Sequence, residues 1–164
     1  MDYDEAIKLF EYDPWINGDL RWKISPSRNV KAGDIAGCSD NNGYRIVRYK
    51  DKAYKGHRIA WLMVYKSFPM GEIDHINGNT NDNRIANLRD VTAIGNAQNQ
   101  KKAGNNSSGA VGVHWCNTRK IWISRINDNG ERINLGSYNN LFDAACARKA
   151  AEIEIGYHTN HGRA

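Results

Sequence analysis

The chain has 164 residues, which is enough for one ordinary domain or for two small ones. Its residues are 40% hydrophobic and 25% charged, values typical of a protein that can bury a core, so a disordered chain is excluded. Lysine and arginine number 23 against 18 aspartate and glutamate residues, and the formal charge of +5 favours a polyanionic partner.

Three features bear on the compartment. The longest uninterrupted apolar run is Ile59–Tyr65, far short of the roughly 20 residues that span a bilayer. Residues 1–5 are acidic and unlike a secretory leader. The cysteines, Cys38, Cys116 and Cys146, are odd in number and too far apart for a disulfide framework or a zinc site. We therefore expect a cytoplasmic protein with no membrane partner and with buried thiols.

The N-terminal part contains three predicted elements. Residues 3–10 have the pattern of a short helix. Polar and apolar side chains alternate in residues 43–49 and 53–57, and a polar turn separates the two segments. This pattern is typical of a β-hairpin. Residues 57–68 have apolar side chains at helical spacing and are followed by a proline and a glycine. We therefore expect a helix, a hairpin and a second helix before residue 70.

A chemically rich segment follows. The sequence predicts a short strand at 73–75, an asparagine-rich loop, a second strand at 88–91 and a helix at 92–100. This segment gathers a carboxylate, an imidazole and several carboxamides. Mg²⁺ prefers oxygen ligands and keeps several waters, so one carboxylate and one carboxamide suffice when a substrate phosphate supplies further oxygens. The segment thus has the groups needed to hydrolyse a phosphodiester with one divalent cation.

Asp74 and His75 form the central pair of this segment. A neutral histidine can take a proton from an attacking water. Adjacent side chains of a regular strand face opposite sides, so both can serve one site only if the strand ends or bends there. The turn at Asn77-Gly78 permits such an end. For the pair by itself, the alternative is that Asp74 caps the loop and His75 is an ordinary surface or core histidine.

The pair lies within a longer series of motifs. They are Asp74-His75-Ile76-Asn77-Gly78-Asn79, Asp82-Asn83-Arg84, Asn87-Leu88-Arg89, Val91-Thr92 and Gly95-Asn96-Ala97-Gln98-Asn99, with upstream matches at 43–45, 57–61 and 71–73. Together they resemble the HNH nuclease motif of phage and intron-encoded homing endonucleases. The resemblance covers about residues 10–100 and implies a ββα-metal nuclease core, here with an added hairpin and helix.

The resemblance implies roles for individual residues. Asp74 matches the metal-binding carboxylate, His75 the general base, and Asn96 the second metal ligand, where many relatives have histidine. Asn87 matches the middle asparagine, whose side chain ties the loop together. Because Asn96 keeps an oxygen donor, the implied ion is Mg²⁺ or Mn²⁺. We expect a backbone carbonyl of the loop to hold the second nitrogen of His75, and His57 to be structural or to contact phosphate. The remaining asparagines of the segment are interpreted as turn residues: Asn77, Asn79, Asn81, Asn83 and Asn99.

The C-terminal part begins after a polar segment at 101–109, rich in glycine, serine and asparagine, that has the composition of a linker. The predicted elements that follow are strands at 111–116, 121–127 and 132–136 and a helix at 141–155. Asp128-Asn129-Gly130 is a hairpin-turn signal, Asn140 a helix N-cap, and Gly156 a helix end. We expect a three-stranded antiparallel sheet packed on one helix.

Alternation along these strands sorts the side chains onto two faces. The face expected to pack on the helix carries Val113, Trp115, Trp122, Ser124, Ile126, Ile133 and Leu135. The other face offers side chains that can contact bases or phosphates in a major groove. The candidate DNA-binding residues are His114, Arg119, Arg125, Asn127, Arg132 and Asn134. By alternation alone, a solvated polar face is an equally good interpretation.

Four short motifs of this part match a known DNA-binding family. They are Gly112-Val113-His114-Trp115, Lys120-Ile121-Trp122, Leu135-Gly136-Ser137-Tyr138 and Ala144-Ala145-Cys146-Ala147. They resemble the ethylene-response-factor (APETALA-type) domain over about residues 107–158, which implies a sheet laid in the major groove. His114 and Cys116 stand where plant members usually have arginine, and Ile121 and Ile123 lie on the presumed DNA face. The base preference of the family therefore does not transfer.

The sequence therefore predicts an α+β protein with a nuclease domain at 1–100, a linker at 101–109, a DNA-binding domain at 110–158 and a tail at 159–164. The expected activity is that of a metal-dependent homing or mobile phage-type endonuclease. It would cut or nick duplex DNA, leave 5′-phosphate and 3′-hydroxyl ends, and act as a monomer in a phage-infected or bacterial cell. The alternatives are a DNA-binding regulator with an inactive nuclease core, and an RNA-binding or RNA-cleaving protein.

Overall fold

The computed structural model describes residues 1–97, 102–159 and 161–162. The chain forms two compact units, Met1–Thr92 and Ala93–Ala164. Both contain helices and small antiparallel sheets, which confirms the predicted α+β class. Among the helices of the described residues, none has the length and apolar character needed to cross a membrane.

The first unit contains two α-helices, seven short strands and one 3₁₀ helix. In chain order these are α1 (Tyr3–Leu9), β1 (Phe10–Asp13), β2 (Asp19–Trp22), β3 (Cys38–Ser39), β4 (Arg45–Tyr49), β5 (Lys52–Lys55), α2 (Gly56–Tyr65), β6 (Glu72–His75), the 3₁₀ helix Ile85–Asn87 and β7 (Leu88–Val91). They form two-stranded sheets β1-β2 and β6-β7 and a three-stranded sheet in the order β3-β4-β5.

The N-terminal elements build the core of this unit. A capping box starts α1, in which the Asp2 side chain accepts from the Glu5 N–H and the Glu5 side chain accepts from the Asp2 N–H. Phe10 ends this helix and opens β1, and its buried ring lies 4.6 Å from that of Trp22 on β2. The buried core comprises Ala6, Leu9, Phe10, Leu20, Trp22, Ala36, Val47, Ile59 and Leu62. The β1-β2 hairpin, which the sequence did not predict, thus supplies three of the core side chains.

The second helix, α2, ends earlier than predicted. Lys66 adopts a left-handed conformation with φ of 60° directly after Tyr65, so residues 66–68 leave the helix before Pro69 is reached. The segment after it leads into β6, which pairs antiparallel with β7. In this register Asp74 lies opposite Arg89 and His75 opposite Leu88. The two predicted strands of the chemically rich segment are therefore present and paired.

The second unit contains α3 (Ala93–Ala97), β8 (Val113–Cys116), β9 (Ile121–Asp128), β10 (Glu131–Tyr138) and α4 (Leu141–Ile155). The strands form one antiparallel sheet in the order β10-β9-β8, and α4 packs against all three. Asn140 caps α4 by accepting from the Asp143 N–H, and Gly156 ends it with φ of 83°. The helix and both of its ends lie where the sequence predicts them. All three predicted strands are present, although β8 begins two residues later than predicted and β10 extends to Tyr138. Residues 98–100 of the predicted helix 92–100 lie outside the described residues.

Four residues of the sheet depart from the positions that simple alternation predicts. Ile123, expected on the polar face, is only 8% exposed, whereas Trp115 and Ile133 on the two outer strands are 40% and 41% exposed. A bulge between Asn134 and Gly136 takes Leu135 out of the paired register, so alternation does not place it. The centre of the helix-facing side is nevertheless closed, because Ser124 and Ile126 on β9 are buried.

The expectation of buried thiols is wrong. All three cysteines are free, Cys38 and Cys146 are exposed and Cys116 is half-buried. Cys38 lies on β3, the outer strand of its sheet, and Cys146 on an exposed part of α4, where neither is covered by the core.

Candidate functional site

The loop between β6 and β7 is held closed by its backbone. The Ile76 N–H donates to the Asn87 carbonyl at 2.9 Å, which extends the strand pairing by one step. The Gly78 N–H donates to the His75 carbonyl at 2.8 Å, so the chain turns immediately after β6. The strand therefore ends at His75, which is the condition under which Asp74 and His75 can serve one site.

The carboxylate of Asp74 faces the neighbouring strand. It is 8% exposed, and its Oδ2 accepts from Arg89 Nε at 2.8 Å and from Nη2 at 2.6 Å. Because Asp74 and Arg89 are partners in the β6-β7 register, both side chains lie on the same face of this sheet. Arg89 thus fixes the direction of the carboxylate, a role that the sequence motifs do not indicate.

The imidazole of His75 lies on the opposite face, in a buried aromatic cluster. It is 3% exposed, and its ring centroid is 5.1 Å from that of His57 and 5.9 Å from that of Tyr44. Burial lowers the pKa of His75 from its ordinary value, and the hydrogen bond with Asn83 and the charge of Asp74 oppose this change. His75 is therefore neutral at pH 7, the protonation state that a general base requires.

One ring nitrogen of His75 contacts a side chain of the loop. Nε2 lies 3.1 Å from Oδ1 of Asn83, which is itself 2% exposed. The sequence predicts a backbone carbonyl as the partner of a ring nitrogen and a turn role for Asn83. For Nε2 the partner is instead a side-chain carbonyl. The two residues lie eight positions apart across an irregular loop, so no periodicity could have indicated this contact.

His57 contributes packing to this cluster. It is 4% exposed, and its ring lies 5.4 Å from that of Tyr44 in an edge-on arrangement. Burial, and secondarily the neighbouring His75, lower the pKa of His57 to about 3. The ring is therefore uncharged at neutral pH, which favours the structural role over phosphate contact.

Asn87 connects the two sides of the loop. Its Oδ1 accepts from the Asn77 N–H at 2.9 Å, and its Nδ2 donates to the Asp82 carbonyl at 2.8 Å. The side chain is 8% exposed, so both bonds are protected from water. In this geometry the Asn87 amide spans the loop.

Asp82 anchors the same loop electrostatically. Its carboxylate accepts from Nε and Nη2 of Arg84 at 2.8 and 2.6 Å and from Nδ2 of Asn77 at 2.8 Å. Hydrogen bonds from Arg84 lower the pKa of Asp82 to about 2. The loop is thus built by its own polar side chains, and the ionised carboxylate of Asp82 is paired with Arg84.

Asn96, the predicted second metal ligand, lies half-buried on α3 in the second compact unit. Asp74 and His75 at the end of β6 and Asn87 at the end of the following loop all lie in the first unit, and the assignment of Asn96 depends on the sequence motif. Within the described ranges, no three His, Cys, Asp or Glu side chains form a cluster that could hold a metal ion. A cation here would need carboxamide, water or phosphate oxygens beside Asp74, a donor set that suits a hard ion such as Mg²⁺.

The candidate DNA-binding residues lie in the second unit. The register pairs Arg132 with Asn127 and Asn134 with Arg125, and pairs His114 with Ile123, which places the five polar side chains on one face. Arg125 is half-buried and the others are exposed, as is Arg119 in the turn after β8. A cavity of about 350 Å³ is lined by His114, Arg125, Asn127 and Arg132 together with six other residues, among them Arg148. The face therefore combines positive charge with groups that can donate hydrogen bonds.

Comparisons with known proteins give two matches. A family model described as HNH endonuclease matches residues 54–98, which include Asp74, His75, Asn87 and Asn96. Protein 3.8 of Escherichia phage T7 is 32% identical over 87 residues, covering 52% of this chain and 72% of the relative. No solved structure matches the chain significantly.

Proposed function

Because this chain belongs to the family of phage T7 Protein 3.8 and carries an HNH endonuclease domain at residues 54–98, we propose that it hydrolyses phosphodiester bonds of duplex DNA. HNH nucleases generally depend on a divalent metal. The observation that carries the proposal is the position of His75, a buried neutral imidazole at the end of β6, directly after the carboxylate of Asp74. Both residues lie within the matched segment.

The proposed roles follow from the chemistry of these groups. His75 takes a proton from the attacking water, and its protected surroundings keep it neutral until then. Asp74 and Asn96 would hold Mg²⁺ or Mn²⁺, and Arg89 orients the Asp74 carboxylate. When bound, such an ion supplies positive charge to the phosphate and to the leaving 3′ oxygen. In-line attack then leaves 5′-phosphate and 3′-hydroxyl ends.

The second unit is proposed to target the enzyme. Its sheet would lie in the major groove as an APETALA-type domain does, with His114, Arg125, Asn127, Arg132 and Asn134 toward DNA and Arg119 beside them. Since the relative comes from a phage, we further propose a mobile or homing endonuclease that cuts or nicks DNA as a monomer in the cytoplasm of a host cell.

The test is cleavage of supercoiled DNA by the purified chain with Mg²⁺ or Mn²⁺. We expect nicked or linear product in the presence of the metal, none with a chelator, and a loss of about 10²–10⁴-fold in rate for His75→Ala, the usual contribution of a general base. His158→Ala, which removes an imidazole outside both proposed sites, should keep full activity.

Three results would contradict the proposal. Cleavage that survives chelation or His75→Ala would rule out this chemistry. Tight DNA binding by a folded chain without cleavage under any divalent metal would instead indicate a DNA-binding regulator with an inactive nuclease core. A preference for RNA over duplex DNA in a competition assay would overturn the substrate assignment.

A further inference from the structure

The contact between Asn83 and His75 restricts how the imidazole can be protonated. An amide oxygen accepts hydrogen bonds and cannot donate them. With Asn83 Oδ1 at 3.1 Å from Nε2, the neutral ring is stabilised with its proton on Nε2 and its lone pair on Nδ1. Both side chains are almost completely buried, so water does not compete effectively for this bond.

Asn83 is itself held from outside the loop, by the β1-β2 hairpin. Its N–H donates to the Asn17 carbonyl at 2.6 Å, and its carbonyl accepts from the Tyr12 hydroxyl at 3.3 Å. The same hydroxyl accepts from the Ile85 N–H at 2.9 Å. The backbone on either side of Arg84 is therefore hydrogen-bonded to residues about 70 positions away in sequence.

The turn of the β1-β2 hairpin lies in close contact with the backbone of Asn83 and Arg84. Gly18 has φ of +65°, and a Cβ built on it would lie 2.2 Å from the Asn83 carbonyl carbon and 2.3 Å from the Arg84 nitrogen. Only glycine fits this position without displacement of the loop. The hairpin thus sets the position of the Asn83 backbone and, through it, of the Asn83 side chain.

We propose that Asn83 is a positioning residue that fixes His75 in the tautomer with the proton on Nε2, and that the β1-β2 hairpin supports it. The inference rests on the proposed nuclease function, since a general base needs its lone pair on the nitrogen that meets the water. It assigns a catalytic purpose to residues 12–18, which lie outside the matched segment 54–98. It also explains why the Asn83 side chain is buried, which a role in the turn alone does not explain.

The first measurement requires no activity. In the ¹⁵N-labelled full chain at pH 8, long-range ¹H–¹⁵N correlation spectra distinguish the two neutral tautomers of each histidine, and His75→Gln assigns the His75 signals. We expect the Nε2-protonated form of His75 to dominate. A dominant Nδ1-protonated form would overturn the proposal.

The second measurement compares two substitutions at Asn83. Asn83→Leu keeps the approximate size but removes the acceptor, so the tautomer signal should become mixed and kcat should fall about 100-fold or more. The Kd for DNA should stay nearly unchanged, because Asn83 is buried and acts through His75. Asn83→Asp restores an acceptor of the same shape, and at pH 8 it should rescue both the tautomer and most of the rate. Asn79→Asp, on the exposed part of the same loop, controls for the added charge.

The outcomes distinguish a failure of the positioning role of Asn83 from a failure of the proposed nuclease function. If Asn83→Leu is folded and cleaves DNA as fast as the parent, Asn83 does not position the base. If Asn83→Leu fails to fold, the comparison of Asn83→Asp with Asn79→Asp tests the positioning role instead. A loss of cleavage rate in Asn83→Asp alone, with the His75 tautomer retained, would contradict the inference. If the parent chain cleaves nothing, the proposed function fails, while the spectra of the parent and of Asn83→Leu still show whether Asn83 sets the tautomer.

Discussion

Asp74 and His75 are neighbours in sequence but belong to different surroundings. Asp74 points across the β6-β7 sheet to Arg89, and His75 points to the aromatic cluster with His57. The strand ends at His75, which is the condition under which the two groups can serve one site although they lie on opposite faces. The polar loop that follows must then hold its shape without regular backbone pairing, and Asp82 is central to this.

Asp82 provides a pH-dependent contribution to stability. Its pKa is about 2 in the folded chain against an ordinary value of 3.8, so its ionised form stabilises the fold above about pH 4. This stabilisation is lost as the pH falls from about 4 toward 2, where the carboxylate becomes protonated. Asp82→Asn should lower Tm by about 4–8 °C at pH 7, equivalent to about 1 kcal/mol in a unit of this size. Thermal unfolding followed by circular dichroism measures the difference.

The pH series makes this prediction specific. The Tm difference between the parent and Asp82→Asn should be constant from pH 7 to 5 and should shrink below pH 4. Asp51→Asn, an exposed carboxylate in the β4-β5 turn, is the control and should show a smaller difference. A gap that stays the same size at pH 3 would mean that the charge of Asp82 is not the source of the stabilisation.

At the level of elements, the site depends on a hairpin that is distant in sequence. The β1-β2 turn contains two successive left-handed residues, Asn17 and Gly18 with φ of 53° and 65°, and places them against the loop that contains Asn83. The hairpin therefore supports the loop of the candidate site as well as the core. A substitution that pushes this turn away should affect both stability and the orientation of His75.

Gly18→Ala tests this coupling. The added methyl group would overlap the backbone of Asn83, and alanine is also strained at positive φ by about 1 kcal/mol. We expect a lower Tm and a lower kcat than in Gly33→Ala. Gly33 is the matched control, because it has φ of +92° but no atom within 4 Å of a built Cβ. Equal effects of the two substitutions on both quantities would show that backbone strain alone explains the result.

Local sequence signals explain which elements of the fold could be predicted. Strong local signals located α4 with its caps at Asn140 and Gly156, the Asn129-Gly130 turn, and the paired strands around Asp74. The β1-β2 hairpin was not predicted because its strands have only four residues each and mix charged with aromatic side chains. The contact of Asn83 with His75 and the position of Arg89 opposite Asp74 arise from tertiary packing and strand register, which periodicity does not specify.

At the scale of the whole molecule, charge is divided unequally between the two units. Residues 1–92 hold 14 basic and 13 acidic side chains, whereas residues 93–164 hold 9 and 5, a surplus of four. The first unit is thus nearly neutral although it carries the proposed chemistry. We therefore expect most of the electrostatic attraction for DNA to come from the second unit, and from its polar sheet face in particular.

Arg125→Ala with Arg132→Ala tests this division. Each arginine that binds a phosphate releases counterions, so the slope of log Kd against log salt should fall by about 1 for each phosphate that the variant no longer neutralises. The Arg125 carbonyl that accepts from Arg148 remains in the variant, so the sheet and α4 stay connected and Tm should change little. Arg28→Ala, an exposed arginine of the first unit, removes charge without touching the sheet and should leave the slope unchanged. A similar change of slope in both variants would mean that net charge, not the sheet face, controls DNA binding.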